Sequence, residues 1–140
     1  MDIPQALEFV RTHHFGVITT QRRDGRPQLS NIAYSVGDDG IIKVSVTDGR
    51  AKTANLRRDP RASLHVANTD FRTYCVLDCD VELMPVATDP HDATVEALVD
   101  YYRGVGGEHP DWDDYRRAMV ADKRLILKLT PTHAYGVVSR

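Results

Sequence analysis

Between Gly49 and Ser63 the chain reads GRAKTANLRRDPRAS, gathering Arg50, Lys52, Arg57, Arg58 and Arg61 on a protein whose formal net charge is −2. Guanidinium forks, an ammonium point charge and the Thr53 hydroxyl are the groups that match a phosphate dianion. The stretch also stands where a helix is expected to start. A helix N-terminus adds unpaired backbone N–H groups and roughly half a positive charge. Arg50, Lys52 and Thr53 fall in that first turn, and Gly49 lets a ligand approach the backbone. Arg57, Arg58 and Arg61 carry the charge towards the next strand, so a polyanion longer than one phosphate would find partners. A solvated helix face with Arg–Asp pairing at its end would use the same residue types, and pattern alone leaves both readings open.

A second group lies in GRPQLSNIAY. Gln28, Ser30 and Asn31 sit on an expected strand after an Asp24-Gly25 turn. Side-chain amides and hydroxyls on a strand can hydrogen-bond the carbonyls and ring nitrogens of a planar heterocycle. A wet edge strand would carry the same residues. No G-x-S-x-G or H-E-x-x-H motif is present, nor a nucleophile with an adjacent base. The GVGG of residues 104–107 follows a helix, so it is no dinucleotide fingerprint. The six histidines show no common ligand spacing. A chain without such groups can still catalyse if a cofactor carries the chemistry.

The elements around these groups are readable from periodicity. Ile3, Leu7 and Val10 form a helical stripe with Asp2 placed to cap it. FGVITT and PQLSNIAYSV read as a hairpin. In the return strand Leu29, Asn31, Ala33 and Ser35 share one face, and Ser30, Ile32, Tyr34 and Val36 the other. IIKVSVT is a strand, followed by the basic helix, with Thr47 or Asp48 as its expected cap and Pro60 as its stop. RASLHVAN and TYCVLDCDVELMPVA are strands. Val95, Leu98, Val99 and Tyr102 mark a long helix expected to end at Gly104. Trp112, Tyr115, Met119 and Val120 mark another, and LILKLTP and HAYGVVS are expected as two closing strands. Cys75 and Cys79, four residues apart on a strand, would stand about 13 Å from each other, too far for a disulfide. Six or seven strands with two helices inserted late imply an antiparallel barrel with helices, α+β in class, formed as one domain over residues 1–140.

A pI near 6.3 argues against a dedicated nucleic-acid binder. No apolar run reaches the ~18 residues a membrane span needs, and no signal peptide is evident. A cytoplasmic setting is expected.

GRPQLSN, RAKTANLRRDPRAS, HPDWDDYRRAMV and DKRLILKL together resemble the actinobacterial flavin/deazaflavin oxidoreductases of the B type, from about Gly16 to Tyr135. These are split-barrel proteins in the wider pyridoxamine-phosphate-oxidase-like superfamily, whose members use FMN, coenzyme F420 or, in some branches, haem. The resemblance implies a homodimer with cofactor sites at the interface. It implies that Arg50, Lys52 and Thr53 hold the cofactor phosphate, with Arg57 continuing the clamp. Gln28, Ser30 and Asn31 would lie by the ring, and Val44, Ser45 and Val46 would line it. Arg72, Tyr74 and Arg124 would come from the partner chain. Arg72 stands where some relatives carry an aromatic residue. Tyr74 and Arg124 would orient the acceptor and stabilise charge developing on it. The loops at 70–73 and 105–112 would shape the acceptor pocket. The implied activity is hydride transfer from reduced F420 to an electron-poor double bond of a small molecule. The alternatives are an FMN-dependent pyridoxine or pyridoxamine 5′-phosphate oxidase-like enzyme, or a non-catalytic F420 carrier.

Overall fold

Helix α1 (Ile3–Arg11) begins in a capping box. The Asp2 carboxylate accepts from the Gln5 N–H at 2.8 Å, and the Gln5 side chain accepts from the Asp2 N–H at 3.0 Å. The computed structural model describes residues 1–138. After α1 come β1 (Phe15–Gln21), β2 (Pro27–Ala33), the two-residue β3 (Ser35–Val36) and β4 (Ile42–Thr47). Helix α2 (Ala51–Arg58) leads into β5 (Arg61–Ala67) and β6 (Tyr74–Leu83). Helices α3 (Ala93–Gly106) and α4 (Trp112–Ala121) precede β7 (Arg124–Val137).

The strands form one antiparallel sheet in the order β2-β1-β5-β6-β7-β4-β3. It curls until β2 and β4 come into contact without pairing. That unpaired seam is the split of a split barrel. Alternation along each strand sends one set of side chains inward. Ile18, Val44, Val46, Leu64, Leu77, Leu125, Leu127 and Leu129 are fully or almost fully buried in the barrel core. Tyr34 joins them because its hydroxyl donates to the Val10 carbonyl at 2.7 Å, which leaves no polar atom stranded. A smaller core forms outside the barrel, where Val95, Leu98, Val99 and Tyr115 of α3 and α4 cover Ile126. Cys75 and Cys79 are free and buried, and desolvation pushes their thiols up to about 11 and about 12.

Four details differ from the sequence expectation. The expected return strand PQLSNIAYSV is divided: β2 ends at Ala33, and Ser35–Val36 leave its hairpin to pair with β4 as β3. Helix α3 runs through Gly104 and ends at Gly107, whose φ of +78° suits a helix stop. Gly104 is instead a contact point, because a Cβ there would stand 2.8 Å from the Ser35 Cβ. The two expected closing strands are one, since β7 continues past Pro131. An extra residue is accommodated at a register shift opposite Asp78 and Cys79, and a bulge is where a strand tolerates proline. Ser139, the end of the expected HAYGVVS strand, lies outside the described residues. Finally, neither Thr47 nor Asp48 caps α2. The N-cap is Arg50, without a side-chain hydrogen bond to the helix. Among the described residues no helix is long and apolar enough to cross a membrane.

Candidate functional site

The seam between β2 and β4 opens into a cleft of roughly 290 Å³. Asn31 and Ala33 line it from β2, Ser45 and Thr47 from β4, and Arg50 and Lys52 from the start of α2. Arg124 completes it, because β7 pairs with β4 in a register that sets Arg124 beside Thr47. The resemblance assigned Arg124 to the partner chain. In the structure it lines the cleft of its own chain.

The electrostatics of this cleft are unbalanced. Burial first, then the repulsion of Arg50 and Arg124, lowers the Lys52 pKa. The Nε of Arg124 is buried with no hydrogen-bond partner. Among the described residues no carboxylate forms an ion pair with Arg50, Lys52 or Arg124. An unsatisfied buried donor costs about 1–3 kcal/mol, and like charges held together add to that. Such a cluster is completed by an anion with several acceptor oxygens, and the groups present fit a phosphate.

The other basic residues of the stretch are already engaged. Arg57 pairs with Asp48 at 2.6 Å. Arg58 donates to the Gln21 carbonyl at 2.7 Å and to Asn55 Oδ1 at 3.1 Å. Arg61 makes a two-pronged pair with Asp59 at 2.8 and 2.9 Å. Thr53 is fully buried, and its hydroxyl donates to the Thr47 carbonyl at 2.9 Å. It fastens α2 to β4 and lies outside the cleft. Val44 and Val46 are buried in the core, with Val46 also lining the cleft and Val44 not, and Ser45 is the outward side chain of the trio. Gln28 and Ser30 alternate with Asn31 and project from the opposite face of β2.

Arg72 and Tyr74 do not line the cleft of their own chain. Arg72 is exposed in the loop after β5. Tyr74 opens β6, its ring 5.7 Å from that of His65. Beside the cleft, and sharing Asn31, Ile32 and Ala33 with it, lies an open apolar shelf of roughly 670 Å³. Phe15, Val17, His65 and Phe71 line it. Phe71 is 77% exposed at a positive φ of 61°. The 105–112 loop is closed instead by its own aromatic cluster, with Trp112 5.6 Å from Tyr102 and 5.7 Å from His109.

Two residues escaped the sequence reading. Phe71 sits beside Arg72, where an aromatic was looked for. Tyr101 of α3 reaches the seam, its hydroxyl donating to the Ala33 carbonyl at 3.1 Å. The Tyr101–Tyr102 pair was the available signal. Two adjacent aromatics on a helix point about 100° apart, so only one of them can follow the stripe.

A family model described as pyridoxamine 5′-phosphate oxidase matches residues 3–138. Among solved structures, a conserved hypothetical protein from Mycobacterium tuberculosis is similar with a TM-score of 0.76 and 23% identity, over 99% of this chain and 85% of that one. A structure described as an F420 reductase is similar at a TM-score of 0.63 and 24% identity, over 91% and 94%. A pyridoxamine 5′-phosphate oxidase-related, FMN-binding protein from Nostoc punctiforme shares the fold at a TM-score of 0.61 and 14% identity, over 94% and 79%.

Proposed function

The chain belongs to the pyridoxamine 5′-phosphate oxidase family, and from that premise we propose that it is an F420-dependent oxidoreductase. It would transfer a hydride from reduced F420 to an electron-poor double bond of a small organic acceptor. One observation carries this reading: Arg50, Lys52 and Arg124 converge on one cleft with a buried, unpartnered Arg124 Nε and no counter-anion among the described residues. The four-block motif resemblance and the fold shared with an F420 reductase support the choice of coenzyme. Arg50 is exposed at the mouth, so an acidic tail continuing beyond the first phosphate has an open path.

Bound and reduced, F420 supplies the hydride. The chain supplies placement and charge. Arg50 and Lys52 grip the phosphate, and their loss of mutual repulsion on anion binding adds to affinity. Asn31 and Ser45 stand on the two edges of the seam, where they would orient the ring. Arg124, also lining the cleft, stabilises negative charge developing on the acceptor in a partly dehydrated setting. Tyr74 would complete the site from a partner chain, with its hydroxyl or a water delivering the proton.

We also propose the homodimer that this requires. The outer face of β1, β2 and β7 exposes Phe15 at 73%, Leu29 at 60%, Tyr135 at 48% and Val137 at 43%. That is a concentration of apolar surface unusual for a monomer.

FMN is the second reading, favoured by the internal pairing of Arg57, Arg58 and Arg61. That pairing leaves a clamp sized for one phosphate. Titration of the protein with F420 and separately with FMN decides between them. Turnover is then assayed with reduced F420 and a panel of enones and quinones, following the return of the oxidised coenzyme's visible absorbance. Tight F420 binding with turnover supports the proposal. Tight binding without turnover identifies a carrier, and a yellow, oxygen-consuming FMN complex identifies an oxidase.

A further inference from the structure

Three cations line the β2–β4 cleft, and they are not equivalent. Arg50 and Arg124 carry guanidinium groups, which keep their protons at any working pH. Lys52 alone can relieve the crowding by giving up a proton. Its surroundings favour that loss. Lys52 stands at the second position of α2, whose first turn holds no acidic residue. The positive end of the helix therefore meets an ammonium where a carboxylate would be favoured. Among the described residues no carboxylate pairs with it. The side chain is half-buried in a cleft of roughly 290 Å³ that both guanidinium groups also line. Burial and the two neighbouring cations lower its pKa.

A lysine desolvated beside other cations is a nucleophile that needs no adjacent base. The lack of a nucleophile–base pair in the sequence does not exclude it. The other lysines are placed differently. Lys43 has Asp39 at 3.9 Å, Lys123 is exposed, and Lys128 stands opposite Glu82 in the β6–β7 register. None of them lines the cleft.

We propose that Lys52 captures carbonyl compounds covalently, and that its ligand is a short-chain aldehyde carrying a phosphate. Arg50, exposed at the mouth, takes the phosphate. The aldehyde carbon is thereby held at the amine, and Arg124 donates to the carbonyl oxygen. The neutral amine adds to the carbon, and the oxygen takes one of the amine protons to give a carbinolamine. That hydroxyl leaves with the second amine proton as water, while the nitrogen lone pair forms the C=N bond of an imine. No electrons are gained or lost. A cleft near the lower limit of small-molecule sites suits a ligand of this size. Capture uses the anion cleft itself and does not depend on which coenzyme the protein takes.

The experiment incubates the protein with glycolaldehyde phosphate, fixes any imine as a secondary amine with borohydride, and maps the adducts by peptide mass spectrometry. Lys52 is expected to be labelled at least about tenfold more than Lys43, Lys123 or Lys128, since the held phosphate raises the local concentration of aldehyde. Glycolaldehyde without the phosphate should show no such preference, and excess inorganic phosphate should suppress labelling at Lys52 alone. Equal labelling of the four lysines overturns the proposal, as does a Lys52 preference that survives both controls. Lys52→Arg keeps a cation but cannot form an imine, so the cleft adduct should vanish. If that variant does not fold, the wild-type map and its competition by phosphate still decide. A protein that labels at Lys52 yet binds neither F420 nor FMN keeps the capture site and loses the coenzyme reading. One that binds a coenzyme and shows no preferential adduct keeps that reading and loses the capture site.

Discussion

Burial and two neighbouring cations hold Lys52 below the ordinary lysine pKa, and this gives the cleft a measurable pH dependence. Between that depressed value and the ordinary one of about 10.4, the unfolded chain binds more protons at this site, so stability rises with pH there. An anion has the opposite preference, since it favours charged Lys52 and raises its pKa. Phosphate or FMN binding is therefore expected to take up protons in that window, and affinity to decline as pH rises through it. Calorimetry in buffers of different ionisation enthalpy reads the proton uptake directly. Lys52→Glu replaces an attraction with a repulsion and should weaken coenzyme binding by about 2–5 kcal/mol, as measured by fluorescence titration. Arg124→Met should separate stability from function. Removing a half-buried guanidinium whose buried Nε has no partner leaves thermal stability unchanged or raised by roughly 1 kcal/mol, while binding falls. At this scale the sequence exposed residue types without their commitments. Arg50 and Arg57 look alike in GRAKTANLRR, yet only Arg57 has Asp48 within reach. That pair depends on the bend of the chain between Asp48 and α2, and composition does not contain it.

Helix α2 starts without a cap because the N-cap position is taken by a cation, Arg50. A serine there would accept from the first-turn N–H groups, so Arg50→Ser is expected to stabilise the protein by about 0.5–2 kcal/mol in denaturant unfolding while weakening anion binding. Loss of stability together with retained affinity would show that Arg50 serves the helix and not the ligand. Most elements were legible in the chain. The Asp2 cap, the Asp24-Gly25 hairpin and the inward Ile32–Tyr34 face follow from local rules, and each is found in the structure. The differences arise where a tertiary contact overrides a local signal. Gly104 reads as a helix stop, but Ser35 presses against it and the helix continues to Gly107. Pro131 reads as a strand end, but a bulge opposite Asp78 and Cys79 absorbs it.

The barrel as a whole brings together residues that lie far apart in the chain. β1 pairs with β5, and β4 with β7. That order places Arg124 beside Lys52 and Asn31. Nothing in local periodicity predicts it, and only the motif resemblance linked the three segments. The same curl leaves an outer apolar face that we assign to a second copy of the chain. Sedimentation of the wild type should give a dimer. Tyr135→Glu, which puts a charge on that face, should give a monomer with weakened coenzyme binding, whereas a wild-type monomer with full affinity would remove the partner's share of the site. The most direct measurement is a crystal structure of the protein with F420. The tail phosphate is expected about 2.7–3.2 Å from the Arg50 and Lys52 nitrogens, with the ring at the β2–β4 seam beside Arg124. A tail bound elsewhere, with those three cations still facing only solvent and each other, would contradict the proposed site.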